Sequence, residues 1–487
     1  MPPLPLLPGF NPDPSIERTD DGYVLVTSTF EYLPGLPVYS STDLETWTLA
    51  GHVATRPEQL DVGSVGTGGG AYAPTIRRHE GRFHVVVTSV GGRGNVVFTA
   101  DDPAGPWSDG VPLDLQGIDP DLAWDDDGTC YVTYSGFDVT FSGVEHLGIL
   151  QARVDLATGE VLEQPRSLWS GTGGQYPESP HLYRIGDRWY LLIAEGGTER
   201  GHAVSIARSA SPMGPFEPCP ANPLLTARDT WRTVQCTGHG DLFQGHDGRW
   251  RMVHLGTWTL GLTYRFAPLG RETFLTEVTW NDGWPLITPI EGNERTPLAT
   301  WHDDFDGDRL GPEWVAIRRP PSSFVRLVDD ALVLEGEGTT MDDQVPTFVG
   351  RRVTRVRGRI SALVEASAPD TVGGLTLRYD ERLHLDVERQ PGRVVGRTVL
   401  PTIRQEHHIE IGDGPVELAI ELRAPHPRSI SSDLIDLVVS HGDERHVLTT
   451  VDGRYLSLEL TGSFTGRVAG VYCQAGTLRV SHYDEQG

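Results

Sequence analysis

Apolar and polar positions along this chain alternate in short runs punctuated by turn residues, the pattern of strands rather than helices. One unit recurs: a turn containing Gly or Asp, then an aromatic, then an apolar strand. It is seen in DDGYVLVTST (Asp20–Thr29), EGRFHVVVTS (Glu80–Ser89), DDGTCYVTYS (Asp126–Ser135), IGDRWYLLIAEGG (Ile185–Gly197) and HDGRWRMVHLG (His246–Gly256). Hairpins with Asp-Gly turns occur in any β-protein, and the spacing here is uneven. The apolar strand after every turn favours a propeller, and five copies predict five blades. Loops at one end of a propeller's innermost strands converge, so functional residues are expected about one per blade.

The repeats stop after WNDGWPLI (Trp280–Ile287), and the polar, proline-containing stretch TPIEGNERTPLATW (Thr288–Trp301) reads as a linker. Beyond it, DALVLEGEG, GRISALVEA, GGLTLRYDERLHLDVER, PVELAIELRA, DLIDLVVSHG and GRVAGVYCQAGTLRVSHYD alternate apolar with polar residues, as strands with one buried face do. The predicted fold is all-β: a five-bladed propeller over residues 1–290 and a β-sandwich over residues 302–487. The length of 487 residues suits two such units.

A formal charge of -27 repels phosphate backbones and anionic headgroups, so nucleic acid and membrane are poor partners and a neutral substrate is favoured. The opening MPPLPLLPGF has no basic segment before a long apolar run, and no later stretch is long and apolar enough to span a bilayer. The expectation is a cytoplasmic protein, with homo-oligomerisation left open. Cys130, Cys219, Cys236 and Cys473 lie far apart, and read as reduced, structural thiols.

Three carboxylates stand beside prolines at strand entrances. Asp13 lies between two prolines in NPDPS, Asp119 precedes Pro120 in GIDPD, and Glu178 follows Pro177 in YPESP. Asp13 and Glu178 each have an ordinary reading, a turn-capping Asp and a surface Glu. Together, in three separate repeats, the three carboxylates match what glycoside cleavage requires, one protonated and one ionised carboxyl. Asp121 is a decoy two residues beyond Asp119, and Asp125, Asp126 and Asp127 form a solvated acidic turn.

The segments GFNPDPSI, TSTFEYLPGLPVYSSTDLETW, GIDPDLAWDDDG, PESPHLY, AEGG and APLGRET resemble glycoside hydrolase family 43, especially its two-domain β-xylosidases and α-L-arabinofuranosidases. The C-terminal part, from DDFDGDRLGPEW (Asp303–Trp314), is similar to that family's concanavalin-like sandwich. The resemblance implies inverting hydrolysis, with Asp13 as general base, Glu178 as general acid, and Asp119 orienting that acid and raising its pKa. Inversion needs the base and acid carboxyls about 6.5–9.5 Å apart to admit a water.

The resemblance also places Arg271 of LGRET and Phe30 of STFEY at the sugar. Tyr72 is a further substrate-binding candidate, in a Tyr-Ala-Pro-Thr stretch where family members often have Trp-Ala-Pro-Asp, a departure that bears on which sugar fits. His239 of TGHGDLF matches a residue near a structural or activating calcium ion, although a lone histidine is equally a core residue and no calcium-loop motif is present. No organic cofactor is expected. The leading activity is exo-acting release of xylose from short β-1,4-xylo-oligosaccharides. The alternative is an α-L-arabinofuranosidase, or one pocket serving both sugars. A non-catalytic carbohydrate-binding propeller, which would have lost one of the carboxylates, is the reading from a different class.

Overall fold

The computed structural model describes residues 4–140, 143–366 and 368–487, with the side chains of 139, 140, 143 and 144 excepted. Five antiparallel sheets follow one another through residue 287. Their first strands are Ser15–Arg18, Gly70–His79, Gly117–Trp124, Glu178–Ile185 and Val234–Gln244. These strands neighbour one another in chain order, and the fifth returns to the first, closing a ring. The five recurring sequence units are the hairpin turn and second strand of each sheet: Tyr23–Val26, Arg82–Val90, Cys130–Thr140, Arg188–Glu195 and Trp250–Trp258. A second strand lies between neighbouring sheets and is covered on both faces. Its run is therefore largely apolar, as in Arg188–Glu195, where every residue after Arg188 is buried and residues 189–194 are all apolar or aromatic.

The first strands share one irregularity. Asp13, Ala73, Asp119, Ser179 and His239 all have positive φ, at 56, 43, 55, 53 and 49°. Four of these residues sit where the strand register shifts, and Asp13 lies just ahead of its strand. Pro14, Pro74, Pro120 and Pro180 follow the first four, and Gly240 follows the fifth. One left-handed residue in such a bulge re-aims the neighbouring side chains. The ring thus presents stacked layers along its axis. Asp13, Ala73, Asp119, Ser179 and His239 form the layer at the mouth; Ser15, Thr75, Asp121, His181 and Asp241, all at most 3% exposed, form the layer beneath.

That lower layer is closed by charge pairing. The Arg77 guanidinium reaches into it and pairs with Asp121 (2.8 Å) and Asp241 (2.9 Å), while also contacting His181 Nδ1 at 2.9 Å. Ser15 and Tyr183 each donate a hydroxyl to Asp241 at 2.6 Å. Buried charges persist when paired and hydrogen-bonded, and this plug blocks the axis below the mouth.

From Trp301 onward the chain forms two further antiparallel sheets, of eight and six strands, around a core that includes Leu375, Leu377, Leu418, Ile420, Val471 and Tyr483. The segment between, 288–300, has no regular structure, but Arg295 pins it by pairing with both oxygens of buried Glu272 at 2.8 Å. The two units interlock. Tyr32–Leu33 of the ring pairs with Ala316–Ile317, and Phe10, Phe30 and Tyr32 pack with Val315, Ile317, Met341, Phe348, Val468 and Tyr472 in one apolar cluster. All four cysteines are buried and unbridged. No helix among the described residues is long and apolar enough to cross a membrane.

Candidate active site

At the mouth of the axis lies a cavity of about 300 Å³. Asp13, Asp119, Glu178, Phe30, Tyr72, Arg271 and His239 all line it, so the structure brings together every residue singled out from the sequence. Asp121 does not line it; its carboxylate faces the plug, accepting from Leu182 N at 2.7 Å and pairing with Arg77. A larger groove, of about 830 Å³, lies at the outer junction of the two units between Trp107 and Pro320, but Asp308 is its only carboxylate.

Each carboxyl is held differently. Asp13 Oδ2 accepts from Ser28 Oγ at 2.6 Å, and Ser28 Oγ in turn accepts from Ala73 N at 2.7 Å. Asp13 Oδ1 faces Arg271 at 3.0 Å and His239 Nδ1 at 3.5 Å. Asp119 accepts from Ser179 N at 3.0 Å, a bond that joins its carboxylate to the backbone beside Glu178. The Glu178 side chain is the most open of the three, at 18% exposure against 5% for Asp13.

Burial drives all three toward the neutral form, and their neighbours then separate them. For Asp13 burial is the largest influence, but Arg271, His239, Ser28 and His202 together outweigh it and leave its pKa below the ordinary carboxylate value. Asp119 is pushed up to about 7 by burial and by the Asp13 charge. Glu178 is held well above the usual range by burial, then by the charges of Asp119 and Asp13. The cluster therefore combines a firm anion with a retained acid, the division that acid–base cleavage needs.

The walls come from both units. Phe464, from the C-terminal unit, stacks on Phe30 with ring centroids 6.1 Å apart and meets Tyr72 edge-on at 5.7 Å. Arg271 donates to Phe464 O at 3.2 Å and to Thr198 Oγ1 at 3.2 Å. Three aromatic faces beside one arginine suit a sugar, which offers C–H faces and hydroxyls together. Sequence reasoning missed Phe464, His146, Tyr176 and His202. Phe464 sits in TGSFTG, a loop with no catalytic signature, far along the chain from the carboxylates.

Around His239 the protein itself offers few free oxygen ligands for calcium. That ion takes oxygen ligands, whereas His239 is grouped with His181 and His202, and the nearby carboxylates of Asp13 and Asp241 already pair with Arg271 and Arg77. Among the described residues no three acidic, histidine or cysteine side chains are spaced to share one metal. Burial also lowers His239 to about 4, which keeps its imidazole neutral.

Comparison with known proteins adds sequence and structural likeness to this geometry. Residues 3–285 match the model of glycosyl hydrolases family 43, and residues 302–483 match that of the beta xylosidase C-terminal concanavalin A-like domain. The non-reducing end alpha-L-arabinofuranosidase BoGH43B of Bacteroides ovatus is 38% identical, over 96% of this chain and 90% of that protein. A beta-xylosidase of Bacillus subtilis is 35% identical over 72% of this chain and 71% of its own. The solved xylan beta-1,4-xylosidase of Bacillus halodurans superposes with a TM-score of 0.90 at 28% identity, covering all of both chains. With both of its units matched, the chain belongs to glycosyl hydrolase family 43 and is a glycoside hydrolase with a C-terminal concanavalin-like domain.

Proposed function

We propose that the chain is an exo-acting, inverting glycosidase that removes a terminal pentose, releasing xylose from the non-reducing ends of short β-1,4-xylo-oligosaccharides. In this reading residues 1–290 form a five-bladed β-propeller, residues 302–487 the sandwich, and the ring axis carries the active site. One observation carries the proposal: three carboxyls with opposed protonation preferences share a small cavity that the Arg77 plug closes from below. A cavity of this size accepts a chain end and not a chain middle.

In the reaction the terminal sugar rests its apolar face against Phe30, Tyr72 and Phe464, and Arg271 donates to its hydroxyls. Glu178 gives its proton to the glycosidic oxygen as that bond breaks. Asp13 takes a proton from the water that attacks the anomeric carbon from the opposite face, and no covalent sugar–enzyme bond forms. Asp119 holds the acid in place through the backbone of Ser179 and, when ionised, helps keep it protonated.

A second reading, an α-L-arabinofuranosidase or a dual enzyme, is favoured by the Bacteroides ovatus relative, whose 38% identity extends over 96% of this chain. Parallel assays with p-nitrophenyl β-D-xylopyranoside and p-nitrophenyl α-L-arabinofuranoside, with xylobiose as natural control, decide between them. Proton NMR of the first sugar released tests inversion. Retention of anomeric configuration, or inactivity on both glycosides, overturns the proposal.

A further inference from the structure

His202 has no part in the mechanism above, yet it lies directly behind Glu178. The imidazole is 1% exposed, and its Nδ1 is 3.2 Å from the carbonyl oxygen of Cys236. A carbonyl only accepts, so Nδ1 carries the hydrogen and a neutral ring leaves Nε2 as a bare lone pair. That Nε2 is buried without a partner, and the nearest carboxyl oxygen is Glu178 Oε1 at 3.9 Å. The backbone is shaped for the ring: at Gly238 a Cβ would lie 2.4 Å from three of its atoms.

We infer that His202 is a positioning residue for the general acid, its Nε2 lone pair facing a carboxyl that can meet it only when protonated. An ionised Glu178 would set oxygen lone pairs against a nitrogen lone pair with no hydrogen between them. A protonated Glu178 supplies that hydrogen, closing the gap as apo hydrogen bonds at catalytic groups commonly do. A half-turn of the carboxyl then carries the same proton to the leaving oxygen. His202 itself transfers none: in each turnover one proton passes from Glu178 to the leaving group and one from water to Asp13.

The other charged groups around the pair are Asp119, Asp13, Arg271 and Glu199 about Glu178, and His239, Arg271 and Asp13 about His202. Arg271 favours ionised Glu178, the three carboxylates oppose it, and burial keeps His202 neutral. The proton of the pair therefore rests on the carboxyl.

This inference rests on the proposed acid role of Glu178, and the test separates the two. In His202→Phe, which keeps a ring and removes the lone pair, the alkaline limb of kcat/KM should move to lower pH by about half to one unit. Hydrolysis of the natural disaccharide at pH 8 should fall roughly tenfold. The 2,4-dinitrophenyl glycoside of the same pentose, whose leaving group needs no proton, should stay within about twofold. An equal loss on both substrates, or an unmoved limb, overturns the inference. Nitrogen-15 NMR of the unmodified enzyme gives an independent reading: at pH 7 His202 should show a protonated Nδ1 and a bare Nε2, and an imidazolium or the opposite tautomer refutes it. If no glycoside is cleaved the acid role itself falls, while the NMR result still decides the state of His202.

Discussion

At the scale of single residues, the site is built from groups held away from their ordinary protonation, and this has a stability cost with a definite sign. Asp119 is raised to about 7, against about 3.9 in an unfolded chain, so the folded state binds more protons between those values. Its contribution turns unfavourable as pH rises through that window. Asp119→Asn should therefore raise the Tm relative to wild type at pH 8, on the order of 2 °C, and leave it nearly unchanged at pH 4.5, as scanning calorimetry would show. Asp13 has the opposite sign: its depressed pKa contributes stability above the unfolded value that is lost as pH falls through the folded one. Glu178→Gln should lower kcat on xylobiose by about 10²- to 10⁴-fold in steady-state assays, with the thermal midpoint preserved at pH 4.5 and raised at pH 8 by the same linkage. Asp13, Asp119 and Glu178 were legible in the sequence because prolines flank them. His202 was not, since its role rests on an unpartnered ring nitrogen that only tertiary packing creates.

At the scale of elements, the repeated hairpin was visible because a second strand buried on both faces is mostly apolar. The left-handed residue in or just ahead of each first strand was less visible: Asp-Pro, Ala-Pro, Asp-Pro and Ser-Pro mark it in four sheets, but His239-Gly240 breaks the pattern in the fifth. The strand Ile403–Glu410 was missed for a physical reason. Every residue in it except Ile409 is exposed, so it has no buried face to impose alternation. Glycine matters at one bend of the pocket wall: Gly70 has φ +96°, and a Cβ there would lie 2.2 Å from Phe30 O. Gly70→Ala should displace the Phe30 turn, with the cost registering in denaturant titration as a midpoint shift of about 2 kcal/mol or more and a rise in KM.

For the molecule as a whole, the second unit supplies Phe464 to the pocket and the apolar bed under Phe30, so catalysis depends on the pair remaining docked. Phe464→Ala should raise KM about tenfold at little change in kcat, since the ring holds sugar in ground and transition states alike. Exhaustive dialysis against a chelator should leave the rate unchanged; a loss restored by calcium would contradict the donor chemistry around His239. The contribution of Phe464 could not be read from the sequence, because no periodicity links a Gly-Ser-Phe loop to carboxylates hundreds of residues away. The Arg77 plug has one further effect, on the order of events after cleavage. A pocket sealed below has a single doorway, through which the shortened oligosaccharide must depart before the freed monosaccharide behind it. Under the proposed exo action the monosaccharide, last to leave, should compete with incoming chains, and initial rates measured with added xylose should show competitive inhibition.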